Sequence, residues 1–174
     1  LAQSICDTNQ LLCSSCQGIF VGTDSKDEQL EFANRFFKIL CEVNSLSTAV
    51  DYGMKAKNAI NIYNERLENH TTGNTILSSD GISVIAKDDS SLELSYMYRN
   101  VWIKRLPKSQ IHTLIKYKNY LQTAAVLTTD TSKQEEISEK LALAGVVRIT
   151  SAGNMNRTVC GEAHDGTYAL REYS

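Results

Sequence analysis

Proline is nearly missing from this chain: Pro107 is the sole example among 174 residues, and only nine glycines accompany it. Regular elements can therefore run long, with few loops between them. No stretch approaches the ~18 consecutive apolar residues of a membrane-spanning helix, which excludes an integral helical membrane protein. Five cysteines, Cys6, Cys13, Cys16, Cys41 and Cys160, are too sparse and odd in number for a stapled secreted scaffold. No basic-then-apolar leader opens the sequence, so a reducing, cytoplasmic setting is expected. A net charge of −2 and a pI near 5.9 exclude a general nucleic-acid binder. Acidic side chains are missing from Leu94 to Thr129, a stretch holding Arg99, Lys104, Arg105, Lys108, Lys116 and Lys118. These cations are expected on a solvated face, balanced by the acids around Glu28 and Glu31 and around Glu135, Glu136 and Glu139.

What is present describes a globular α/β protein. Hydrophobic residues at 42% and charged residues at 22% rule out wholesale disorder. A chain of this length buries about 70% of its unfolded surface, enough for one domain without metals or disulfides. Gly18–Val21 is a short apolar run between glycines and reads as a buried strand. Ser25-Lys26-Asp27-Glu28 has the capping-box pattern and opens a helix whose Leu30, Ala33, Phe36, Phe37, Leu40 and Cys41 recur at helical spacing. A second helix is expected from about Ser47, with Ala49, Val50, Gly53, Ala56, Ala59, Ile60, Tyr63 and Leu67 on its buried stripe. Turns at Thr71–Asn74 and Ser78–Gly81 frame a strand at Ile82–Ala86. Alternation of Leu92, Leu94, Tyr96 and Tyr98 predicts a half-exposed strand, followed by a more buried one at Val101–Ile103. A short helix is expected past Pro107. Thr123–Thr128, a helix capped at Ser132, and Val146–Thr150 then form a strand–helix–strand unit, the signature of parallel pairing.

The segment Asn9-Gln10-Leu11-Leu12-Cys13-Ser14-Ser15-Cys16-Gln17 lies between a helix expected at Leu1–Gln10 and the Gly18 strand. A cysteine on a loop held by rigid elements is well placed for nucleophilic chemistry, provided that its thiolate is accessible. A different class uses the same atoms: Cys13-x-x-Cys16 with Cys160-x-x-x-His164 offers ligand types suited to a structural zinc or redox module.

The run from Asp7 to Val21 resembles the catalytic-cysteine segment of long-chain fatty acyl-CoA reductases of the bacterial-bioluminescence type, within the aldehyde dehydrogenase superfamily. Cys16 stands where that pattern usually has proline. Leu121–Val126, Ala144–Thr150 and His164-Asp165-Gly166 are similar, in order and spacing, to the final segment of such enzymes. The resemblance implies a Rossmann-like, three-layer α/β catalytic domain over residues 1–174 with a mostly parallel sheet. It also implies that the chain is the C-terminal catalytic part of a longer enzyme, with the nucleotide-binding domain lying outside it. Cys13 would be the nucleophile that accepts an acyl group from acyl-CoA or an acyl-protein, and NADPH would reduce that thioester to a fatty aldehyde. Asn9, Gln10, Ser14 and His164 would support it, the Cys13 N–H would serve as one oxyanion donor, and no metal would be needed. A homo-oligomer or a fatty-acid-reductase complex is the expected assembly. No G-x-G-x-x-G dinucleotide fingerprint occurs in the chain.

Overall fold

The computed structural model describes residues 1–106, 111–118, 120–157 and 160–162, less the side chains of 111–113. The chain divides into two compact units, Leu1–Pro107 and Lys108–Ser174.

The first unit begins with α1 (Ala2–Thr8), which Asn9 ends in a left-handed conformation, and β1 (Gly18–Val21) follows. Next come the long helices α2 (Lys26–Leu46) and α3 (Tyr52–Thr72), then strands β2 (Thr75–Ser79), β3 (Ile82–Ala86) and β4 (Asn100–Arg105). The strands form one sheet in the order β1-β4-β3-β2. β1 and β3 both run parallel to β4, while β2 pairs antiparallel with β3. The β2–β3 hairpin turns through Asp80 and Gly81, both with positive φ, as a two-residue primed turn requires. β3 is buried at all five positions, so both sheet faces are covered. α3 lies over the face that carries Ser78, because Arg66 donates to Ser78 Oγ at 2.9 Å and Lys87 pairs with Glu65 at 3.1 Å. α2 packs on β3 and β4 through Ala33, Phe36 and Leu40. This is a mostly parallel, Rossmann-like α/β arrangement.

In the second unit, a 3-10 helix (Ile111–Tyr117) precedes β5 (Thr123–Ala125), α4 (Thr131–Leu143) and β6 (Arg148–Thr150). β5 and β6 pair in parallel, Thr123 opposite Arg148, so the strand–helix–strand unit forms as its pattern predicts. Gly145 ends that crossover with φ of 95°; an added Cβ would stand 2.4 Å from Lys118 Cγ.

Several expectations are corrected. α3 starts at Tyr52, not near Ser47, because Asp51 accepts from Gly53 N and caps it while Ser47 closes α2. Its expected core stripe faces outward: Ile60, Tyr63 and Leu67 are exposed, and Asn58, Ile62 and Glu65 face the sheet. Polar bonds decide that rotation, since Asn58 Nδ2 donates to the carbonyls of Gly81 and Tyr98, and Glu65 meets Lys87. The cap of α4 is Asp130 rather than Ser132; its Oδ1 accepts from Ser132 N and Lys133 N.

Residues 92–96 form no strand, and Met97, Tyr98 and Arg99 all adopt left-handed φ. That turn is closed by Asn100 N donating to the Met97 carbonyl at 3.1 Å. The segment folds back over β4, which also corrects the charge assignment. Arg99 and Lys104 are fully buried instead of solvated. Asp89 and Glu93, both 2.6 Å from Lys104 Nζ, balance Lys104, and Asp88 takes Arg105 and Lys26. Lys108 lies outside the described residues.

Candidate active site

The Cys13 loop is built from both of its ends. Asn9 and Gln10 turn the chain out of α1 with φ of 50° and 61°, a conformation that Asn tolerates better than most residues. Ser15 then folds the loop onto the helix: its hydroxyl accepts from Leu12 N and shares a 3.0 Å hydrogen bond with Thr8 Oγ1. Ser15 N donates to the Leu12 carbonyl at 2.9 Å, so Leu12–Ser15 is a hydrogen-bonded turn with Cys13 at its first central position. Cys13 is exposed at the tip, flanked by the exposed Leu11 and Leu12. Its backbone N–H has no acceptor among the described residues. Ser14 is half-buried beside it.

Beneath the tip lies a buried amide network. Gln10 is 1% exposed. Its Nε2 donates to the Cys16 carbonyl at 2.8 Å, to the Asn100 carbonyl at 3.1 Å and to Ser95 Oγ at 3.2 Å, while its Oε1 accepts from Asn100 N at 3.0 Å. Ser95 Oγ donates to Gln17 Oε1 at 2.7 Å, and Gln17 Nε2 returns to the Gln10 carbonyl. Tyr98 N donates to the Asn9 carbonyl at 2.9 Å, and Arg99 Nε to Asn9 Oδ1 at 2.9 Å. Asn9 and Gln10 thus tie the start of the Cys13 loop to β4 and the turn before it. Ser95, Arg99 and Asn100 carry no motif, and the sequence pattern does not point to them.

The cysteines differ sharply in their surroundings. Burial pushes the Cys16 thiol up to about 11, outweighing the lowering effect of the Gly18 backbone, and its S–H donates to the Gly18 carbonyl at 3.3 Å. Its thiolate fraction at neutral pH is then on the order of 10⁻⁴. Burial also raises Cys6 and Cys41, although Arg99 counteracts it at Cys6. Cys160 is exposed in the second unit, and His164 lies outside the described residues. Among the described residues, no group of three His, Cys, Asp or Glu side chains could hold a metal ion.

An open cleft of about 500 Å³ lies elsewhere on the first unit. It is lined by Glu65, Glu68, Lys87, Asp88, Asp89 and Glu93, among others, and by no residue of the Cys13 loop.

A family model described as acyl-CoA reductase (LuxC) matches residues 1–174. The chain belongs to the LuxC family. No match was found among curated proteins. LuxC membership carries acyl-CoA reductase activity, an acyl substrate and the need for a reductant, and it agrees with the resemblance carried by the Asp7–Val21 segment. Among the described residues, no helix of this LuxC chain is long and apolar enough to cross a membrane.

The starts of the three long helices do not fit a dinucleotide's pyrophosphate. A pyrophosphate is commonly bound by the free N–H groups and positive dipole of a helix start. In this LuxC chain the starts of α2, α3 and α4 are occupied by Ser25, Asp51 and Asp130, and α2 adds Asp27 and Glu28 in its first turn. These caps and charges oppose a bound anion.

Proposed function

We propose that Cys13 is the acyl acceptor of this LuxC reductase and forms a thioester acyl-enzyme. The observation that carries this reading is the contrast between the two neighbouring thiols. Cys13 is exposed at the tip of a turn held from below, and Cys16, three residues on, is buried with a depressed tendency to ionise. In the step, the Cys13 thiolate attacks the carbonyl carbon of the acyl-CoA thioester. A new S–C bond forms, negative charge collects on the former carbonyl oxygen, and the bond to the coenzyme A sulfur breaks. Coenzyme A leaves as its thiolate and takes up a proton from solvent. The Cys13 N–H supports a role as one donor to the developing oxyanion; removing such a donor typically costs ~10²–10³ in rate. Leu11 at 55% exposure and Leu12 at 49% offer apolar surface beside the thiol, suited to an aliphatic acyl chain.

The second half-reaction needs a hydride donor, which the family resemblance names as NADPH. The helix starts do not fit its pyrophosphate, and acylation is the step that the Cys13 loop supports.

Acyl incorporation from labelled long-chain acyl-CoA tests the proposal. Cys13→Ala is expected to abolish it, while Cys16→Ala, with the exposed thiol intact, retains most of it. Equal incorporation by wild type and Cys13→Ala would refute the assignment.

A further inference from the structure

We propose that Arg99 is a positioning residue for the Cys13 nucleophile, acting through Asn9; this rests on the acyl-acceptor role given to Cys13 above. Arg99 is 1% exposed, and among the described residues none of its hydrogen-bond partners is a carboxylate. Its Nε donates to Asn9 Oδ1 at 2.9 Å and its Nη1 to Asn44 Oδ1 at 2.6 Å. Its Nη2 donates to the carbonyls of Thr48 at 2.7 Å and Cys6 at 3.1 Å. A buried cation without a counter-ion is costly unless dipoles replace its hydration. Here those dipoles include the carbonyl of Cys6, near the end of α1, and the amide oxygen of Asn44, in the last turn of α2. Negative helix ends favour a cation at such a place.

The backbone reinforces the point. Arg99 holds φ of 71° at the end of three consecutive left-handed residues, none of them glycine. Each such residue stores strain that the surrounding structure must over-determine. What holds this turn is largely the Cys13 segment: Asn9 O accepts from Tyr98 N, Asn9 Oδ1 accepts from Arg99 Nε, and Gln10 brackets Asn100 on both sides. Gln10 also fixes the far end of the loop at the Cys16 carbonyl. Arg99 fixes the near end. The tip between them presents the Cys13 thiol and its N–H together, which a nucleophile that shares its own oxyanion donor requires. A thiol can react with a small, undemanding reagent from many loop conformations, but acyl transfer needs one. A displacement of about 1 Å can cost ~10²-fold in such a reaction.

The test compares two rates at Cys13, acylation by long-chain acyl-CoA and alkylation by iodoacetamide, together with amide exchange at Leu11, Leu12 and Ser15. Asn9→Gly keeps the left-handed backbone accessible and deletes only the acceptor for Arg99. Asn9→Asp keeps that acceptor and tolerates the same φ. Arg99→Lys keeps the charge but cannot reach all four partners. Asn9→Gly and Arg99→Lys are expected to acylate ~10–100-fold more slowly, with alkylation within about threefold of wild type and faster exchange in the loop. Asn9→Asp is expected to recover most of the lost acylation rate relative to Asn9→Gly. Should Asn9→Gly fold cooperatively yet acylate at the wild-type rate with unchanged exchange, the positioning role is overturned while the nucleophile assignment stands. A wild-type chain that takes no acyl group on Cys13 overturns the nucleophile assignment, and this role with it.

Discussion

At the scale of single residues, burial and the dipoles around each group set chemically alike side chains apart. Cys13 and Cys16 have the same chemistry and lie three positions apart. The turn from Leu12 to Ser15 puts one thiol in solvent and the other against the Gly18 carbonyl. Lys104 shows the same logic for charge. Its ammonium is fully buried next to Trp102, 5.2 Å from the ring centroid, and is met by Asp89, Glu93 and the Ser91 carbonyl. Burial works to raise the Asp89 carboxyl, but the bonds from Lys104 and Ser91 outweigh it and hold it at about 2. A carboxyl depressed on folding stabilises above its unfolded value of about 3.9 and stops doing so as pH falls through its folded value. Denaturant unfolding of wild type and Asp89→Asn should therefore show a stability gap that is steady near neutrality and closes between about pH 4 and pH 2. A gap that persists unchanged to the bottom of that window would contradict the pairing.

Elements carry the next level of information, and there close approach matters more than propensity. β1 pairs Gly18 with Trp102 of β4, and the indole lies so close that an added Cβ would stand 2.0 Å from Trp102 Cε2. Gly18→Ala should thus cost ~1–3 kcal/mol through overpacking, read as a lower unfolding midpoint. Gly22→Ala, whose Cβ would meet nothing within 4 Å, should stay within about 0.5 kcal/mol of wild type. Equal stability of the two variants would show that the Trp102 contact is misplaced. The legibility of each element follows from where its determinants lie. The positions of β1, β3 and the start of α2 could be read from sequence because their signals are local, apolar runs bounded by turn residues and a Ser25 cap with Glu28 three residues on, although β1 is half-buried rather than buried. Alternation at 92–98 misleads because its competitor is tertiary. The left-handed turn at Met97–Arg99 is held by Asn9 and Gln10, about 90 residues away in sequence, and no glycine announces it. The α3 stripe misleads for a related reason, since helical period alone does not say that Asn58 and Glu65, rather than Ile60 and Tyr63, meet the sheet.

For the whole molecule, the site is legible only in part. Asn9, Gln10 and Cys13 stand in one contiguous motif that the sequence alone singles out. Ser95, Arg99 and Asn100 meet Asn9 and Gln10 because β4 runs parallel to β1, which brings the start of β4 and the segment before it to the Cys13 loop. Parallel pairing demands a long crossover, here α2, α3 and the β2–β3 hairpin, so these residues are necessarily distant in sequence from Cys13. The molecule thus spends most of its first unit bringing the two ends of one short loop under control. The acyl-acceptor assignment requires that this loop present Cys13, and no other thiol, to an acyl thioester. The most direct measurement is to react the intact chain with labelled long-chain acyl-CoA, quench in acid, and map the adduct by peptide mass. One acyl group, on Cys13, is expected. An adduct on Cys16 or Cys160, or labelling spread without preference over several cysteines, would contradict it.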